Sequence, residues 1–379
     1  MRARIQLSDA PILQDAADQV ATRLSAESGA ACDLALVFVS TAHGALDLAS
    51  AADLGARLGA RRTAVAQVEG LLAEDAEWVN RPALAALALS GDIAAHSVDH
   101  VRGREAEVGD ELSASLGPLG PNDLVLAVAD AHDFDAHAFA DGMRSCAPAS
   151  VLGVGVEGAG GLHATHALDG EIATGGVLGL RLRAPTALQC ALAPGVRLRE
   201  VRRVDEARGN WLYALSGVSA LEEFRDAAGV LWNDEHRARR SVFVALPDGD
   251  DSGEPHAALA RAVVGIDEEA GAIALSDSVM PGSRVAFALR DGDAARSALS
   301  SAARSLEVIA PRGAGVGFAA SCPSRGEELF GHPGIEAAYL ASAFGFGAWV
   351  GLLGSFQIGG TPGSPASLLT GAGALVRAV

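Results

Sequence analysis

The chain has 379 residues with 29 basic and 47 acidic side chains, a formal charge of −18, so its field repels phosphate backbones and anionic lipid surfaces and disfavours nucleic-acid and membrane binding. Apolar residues make up 49% of the sequence, a globular composition at a length that allows roughly two or three domains. Lysine is absent and the charged bases are all arginine, which excludes Schiff-base pyridoxal chemistry and Walker-type nucleotide hydrolysis on residue inventory.

Ser8, Asp9 and Pro11 start a first helix over residues 11 to 27, with Ile12, Leu13, Ala16, Ala17, Val20, Ala21 and Leu24 on one face. The amino-terminal segment has no apolar core of signal-peptide length, and nothing in the sequence reaches about 18 uninterrupted apolar residues. A cytoplasmic address is the expectation. Residues 34 to 39 read as a buried strand, 46 to 58 as a helix and 63 to 68 as a strand closing on Gly70, followed by a strand over 83 to 89.

The same grammar begins again at Asp123, with a strand over 124 to 129, a helix over 136 to 144, a strand over 150 to 156 and glycines from 158 to 161. It returns over 316 to 360. Three occurrences at unequal spacing indicate a duplicated α/β layer rather than a solenoid. Residues 177–182, 196–204, 211–215, 241–246, 272–275 and 284–289 read as strands, many joined by short glycine turns and so partly antiparallel. Helices are expected over 219 to 228 and 294 to 306, and residues 247 to 255, PDGDDSGEP, form an acidic loop. The fold class is α/β: two related mixed-sheet layered domains with internal strand-helix-strand repeats. An N-terminal helix occupies residues 1–27, a first domain 28–218 and a second domain 219–379.

Several motifs invite chemistry. Asp130, His132, Asp133, Asp135 and His137 are dense enough to suggest a metal, but their spacing fits no standard zinc or calcium loop, and a turn with a helix N-cap accounts for them. Gly153-x-Gly155-x-x-Gly158 spells a dinucleotide fingerprint, yet Gly160-Gly161-Leu162-His163 is a poor helix start, and that motif needs a helix directly after it. The four cysteines, Cys32, Cys146, Cys190 and Cys322, contain no C-x-x-C pair, so no metal, disulfide framework or cofactor is expected.

The densest stretch is residues 313 to 360. A strand ends in Ser321-Cys322-Pro323-Ser324-Arg325-Gly326, where proline lacks an amide donor and glycine admits positive φ. A helix and a second apolar run follow. Cys322 and Arg325 thus stand at a strand end, where open α/β sheets present ligands, and Arg325 could hold a carboxylate by paired hydrogen bonds. The alternative is a structural turn in which Arg325 satisfies loop carbonyls. A cysteine nucleophile lacks a positioned base in the sequence.

Ser-Cys-x-x-Arg-Gly, Leu329-Phe330-Gly331-x-Pro333 and Gly351-Leu352-Leu353-x-x-x-Gln357-Ile358-Gly359 together resemble the C-terminal domain of FIST proteins, a sensory module. Upstream, Arg261-x-Val263-Val264-Gly265-x-Asp267 and Pro281-Gly282-x-x-Val285-x-Phe287-x-x-Arg290-Asp291-x-x-x-Ala295 match in order. Residues 33 to 40, DLALVFVS, and 174 to 179, TGGVLG, look like the FIST N-terminal domain. Departures are Ala66-Gln67-Val68 where such chains carry Gly-Cys-Ser/Thr, Gln189-Cys190-Ala191-Leu192-Ala193-Pro194 in place of Gln-Gly-Cys-Arg-Pro, and Phe356-Gln357-Ile358 in place of Gly-Glu-Ile.

The resemblance implies a non-enzymatic sensory protein of signal transduction, holding a small polar metabolite, an amino acid or carboxylate, in a cleft between two domains. The expected ligand residues are Cys322, Arg325, Gly326, Gln189, Cys190, Arg290, Asp291 and Gln357. Since the sequence stops at Val379 without an appended output segment, a separate signalling protein is the expected partner. A protein-interaction scaffold and a cysteine-dependent amidohydrolase-like enzyme are the rival readings.

Overall fold

A computed structural model describes residues 1–27, 31–44, 48–247, 255–307, 315–345, 347–364, 366–369 and 372–379. The acidic loop expected over 247 to 255 lies, apart from its two ends, outside the described residues. The protein is mixed α/β, with helices on several mixed sheets. No described helix is long and apolar enough to cross a membrane. The chain divides into two compact units, the first made of residues 1–192, 299–368 and 373–379, the second of 193–298 and 369–372. The expected boundary near 218 follows the motif order, whereas compactness separates the chain at 192 and 298 because strand Val196–Arg208 pairs with Arg284–Arg290 inside the second unit.

The first unit is built on three parallel strand pairs. They are Leu34–Ser40 with Arg62–Val68, Asp123–Asp130 with Ser150–Gly158, and Val316–Ser321 with Ala348–Leu353. Parallel neighbours need a crossover. Helices Leu48–Arg57 and Ala136–Gly142 supply the first two, and Glu327–Phe330 with Ile335–Phe344 supply the third. The first strands are buried along their whole length, as central strands covered on both faces must be, and apart from Asp123, which opens the second, they read as apolar runs ending in a polar residue: Ser40, Asp130 or Ser321. These are the three recurrences seen in the sequence.

Each first strand has an antiparallel neighbour, Leu84–Ser90, Val177–Arg183 or Ala372–Ala378, and beyond it an outer strand, Arg2–Ser8, Ile93–Val98 or Leu188–Pro194. On its other side, each second strand receives a strand from a different repeat. The chain leaving Arg62–Val68 forms the hairpin Gly70–Ala73 and Ala76–Val79, which adds to Ala348–Leu353 of the third repeat. The chain leaving Ala348–Leu353 forms Phe356–Gly360, which adds to Ser150–Gly158 of the second. The chain leaving Ser150–Gly158 forms the hairpin Thr165–Leu168 and Glu171–Thr174, which adds to Arg62–Val68 of the first. The exchange is cyclic, so the three sheets share one strand order and none closes without another repeat.

Two sequence motifs find structural explanations here. Asp135 caps the helix Ala136–Gly142 by accepting from the amides of His137 and Ala138, so the acidic run passes from the strand end at Asp130 through a turn to an N-cap. Gly153-x-Gly155-x-x-Gly158 lies within a strand that turns back as a hairpin, Gly158 opposite Leu162, and no helix follows. A Cβ on Gly155 would fall inside the ring of Phe356, its cross-strand partner.

In the second unit the strands Val196–Arg208, Arg284–Arg290, Val242–Pro247, Pro255–Asp267, Ala272–Leu275, Trp211–Leu215 and Val218–Ser219 form one sheet, antiparallel at every described pairing. Helix Ala220–Ala228, capped by Ser219, buries Leu221 and Phe224 against it.

Candidate functional site

At the end of Val316–Ser321 the chain makes a tight 3-10 turn, Pro323–Arg325, with Cys322 preceding it and proline in the first turn where no amide is needed. The turn drives Arg325 inward until no part of it touches solvent. Its Nε donates to Glu336 Oε1 at 2.9 Å, and the other Glu336 oxygen accepts from Ser321 Oγ at 2.8 Å. Glu336 stands in the first turn of Ile335–Phe344, where a carboxylate is favoured. Glu77 accepts from the backbone amides of Glu336 and Ala337, and burial raises its carboxyl above the ordinary range against the pull of those amides. Gln357 is buried, and its Nε2 donates to Ser321 O at 3.1 Å and Gly354 O at 2.7 Å.

Four of the expected ligand residues, Cys322, Arg325, Gly326 and Gln357, therefore gather around one strand end. The expectation that Arg325 offers its guanidinium to a carboxylate ligand gives way to an internal ion pair, because a fully enclosed arginine needs a fixed counter-charge. Glu336 was not picked out from the sequence, although an acidic residue just after Pro333-Gly334 marks a helix start. Gly326 stands close to Glu77, with space for a Cβ only 3.1 Å from Oε2. Cys322 stays partly exposed with Sγ 2.9 Å from Ser324 Oγ, so no thiolate–imidazole pair is assembled around it among the described residues.

The remaining expected residues lie elsewhere. Gln189 and Cys190 sit in the outer strand Leu188–Pro194, where Gln189 Nε2 reaches Cys190 O at 3.4 Å and burial pushes the Cys190 thiol up to about 12. Arg290 and Asp291 belong to the second unit, where Asp291 Oδ1 caps the helix Gly292–Glu307 by accepting from Ala294 N at 2.8 Å. In the second repeat, buried Asp130 holds the half-exposed His163 through Nδ1 at 2.5 Å, with the His132 ring edge-on to His163. Among the described residues no group of three or more His, Cys, Asp or Glu could hold a metal.

A cavity of about 570 Å³ opens in the first unit, at the other end of the helix that carries Glu336. Ile5 and Leu7 of the outer strand form one wall, Trp349 and Ala341 another, and Ala73, Glu74 and Asp75 of the hairpin turn a third. Trp349 is buried and packs on Phe344 with ring centroids 5.7 Å apart. Glu74 and Asp75 are the two loop residues of the hairpin, exposed at the cavity mouth, and Glu74 takes φ 54°, an uncommon backbone state for a glutamate. Sequence reasoning missed this cavity. Its lining comes from three separated segments, and Ala-Glu-Asp-Ala lacks the Asn-Gly signal that announces a two-residue hairpin.

Comparison with known proteins adds two findings. Residues 220–359 match the family model of the FIST C domain. Along nearly the whole length, the chain is similar to two uncharacterized proteins of Mycobacterium tuberculosis, from strains CDC 1551 and H37Rv. Each is 26% identical over 373 residues, covering 96% of this chain and 96% of the relative.

Proposed function

The chain is a FIST-domain protein, a carrier of a sensory domain of signal transduction, and from that premise we infer that it senses a small molecule in the cavity walled by Trp349, without turnover. The single observation behind this reading is the cavity itself: a preformed, mostly apolar hollow of a size typical of small-molecule sites, with a few polar groups at its mouth. The amidohydrolase reading has less support, because Cys322 lacks an imidazole partner among the described residues and the Cys146 and Cys190 thiols are raised by burial.

The sensing route follows from one helix. Ala341 and Ser342 line the cavity, and Glu336 stands in the first turn of the same helix, Ile335–Phe344. Ten residues span about 15 Å, so a shift at the ligand end reaches the buried Arg325–Glu336 pair as a rigid displacement. The signal then passes to a separate protein. A cytoplasmic address belongs to the same proposal and is supported by four unbridged cysteines.

A thermal-shift screen of small metabolites, amino acids and carboxylates included, against the wild type and Ala341→Phe tests the reading. A ligand that prefers the folded state must raise the melting temperature, and filling the cavity must abolish that rise. Hits that stabilise both proteins equally would remove the cavity from the site.

A further inference from the structure

We propose that the cavity selects a small organic cation, an amine attached to a compact aromatic or branched apolar body; this rests on the cavity being the sensory site. Among the described residues the lining holds no basic group, and its only charged residues are Glu74 and Asp75, both at the mouth. Neither carboxylate is paired with a basic side chain among the described residues. A carboxylate ligand would meet two like charges there, within a chain of formal charge −18, whereas an ammonium would meet two opposite ones.

The walls specify the rest of the ligand. Ile5, Leu7, Ala73, Ala341 and Trp349 offer apolar surface, and Gln6 and Ser342 are the polar neighbours. Trp349, stacked on Phe344, gives the body of the ligand a broad aromatic wall, leaving the charge of the head to the two acids. A bare divalent ion fits poorly: two adjacent carboxylates provide too few ligands, and no three-group metal set exists among the described residues. The amine is therefore held by its head at the Glu74–Asp75 turn while its body enters between the outer strand and the helix.

The expected contribution of the charged head is modest, because the carboxylates are exposed. Two exposed pairs together give roughly a tenfold preference over a neutral head. The preference weakens as salt is added.

The test uses three probes with a common phenyl body: 2-phenylethylamine, 2-phenylethanol and 3-phenylpropionate. Binding is measured by calorimetry to the full chain, to Glu74→Gln/Asp75→Asn and to Ala341→Phe, with far-UV circular dichroism confirming the fold of each. The expected result is amine binding about tenfold tighter than the alcohol and no binding of the carboxylate. The double variant should then bind amine and alcohol equally, and Ala341→Phe should bind neither. Equal or tighter binding of the carboxylate to the wild type, or amine binding unchanged in the double variant, overturns the choice of ligand class while the cavity reading stands. Amine binding that survives Ala341→Phe, or binding of none of the three probes, overturns the amine proposal, and in the first case the cavity reading falls with it.

Discussion

Arg325 Nε and Glu336 Oε1 stand 2.9 Å apart with both side chains withdrawn from solvent, and this pair fastens the strand end Val316–Ser321 to the start of the helix Ile335–Phe344. The turn at Pro323–Arg325 and the helix are separate in sequence, so the pair closes the crossover that a parallel strand pair requires. Ser321 Oγ on the second Glu336 oxygen extends the same lock back into the strand.

Removing one partner of such a pair leaves the other charge buried alone. Arg325→Ala or Glu336→Ala should therefore lower stability by about 3–5 kcal/mol, read from urea denaturation, while Arg325→Met/Glu336→Leu should lose less than either because no charge is stranded. An arginine reserved for a ligand would behave differently. Arg325→Ala would then keep the wild-type midpoint, and that result would show that the pair holds nothing together.

His166 supplies a pH dependence. The ring is buried beside Ser97, with Nε2 2.6 Å from Ser97 Oγ, and burial lowers its pKa from 6.5 to about 4 despite the opposing carboxylates of Asp99 and Asp130. Between those two values the unfolded chain binds a proton that the folded chain refuses, so this residue removes stability as pH falls from 6.5 towards 4. The full loss is about 3 kcal/mol. Glu69 and Glu77 are raised by burial and act in the opposite sense, gaining stability as pH falls through their raised values. The comparison that isolates His166 is the wild type against His166→Gln from pH 7 to pH 4. The stability difference should shift against the wild type across that range, and parallel curves would rule out the histidine as its source.

The parts of the fold legible in the sequence were those whose burial is local. Strands such as Leu34–Ser40 and Asp123–Asp130 are covered on both faces and appear as apolar runs whatever they pair with. The exchanged strands were not legible. Gly70–Ala73 and Thr165–Leu168 are four residues long, and their partners belong to other repeats, which periodicity cannot name. The helix Glu105–Ser115 was hidden for a related reason: Gly109 interrupts it, and that glycine allows close approach to Phe139 O and to the Gly142 backbone of the neighbouring helix. At the candidate site Cys322, Arg325 and Gln357 of the motif lie around one turn. What it could not show was the charge on the other side of Arg325, which comes from a helix positioned by tertiary packing.

Gly155 offers a test of the exchanged strands themselves. It stands opposite Phe356, the first residue of the strand that the third repeat lends to the second sheet, and the Phe356 ring occupies the space a Cβ would need. The ring cannot easily retreat, because it stacks on Phe134 at 5.8 Å with planes 12° apart, and Phe134 in turn meets Phe139. Gly155→Ala should thus destabilise by about 1–3 kcal/mol through overpacking. Phe356→Ala vacates that space, so in the double variant the added methyl group should cost little beyond the loss of the ring. A double-mutant cycle in urea should accordingly return a coupling of about 1 kcal/mol or more between the two positions. Additive effects would mean that the lent strand does not press on the second repeat at this position.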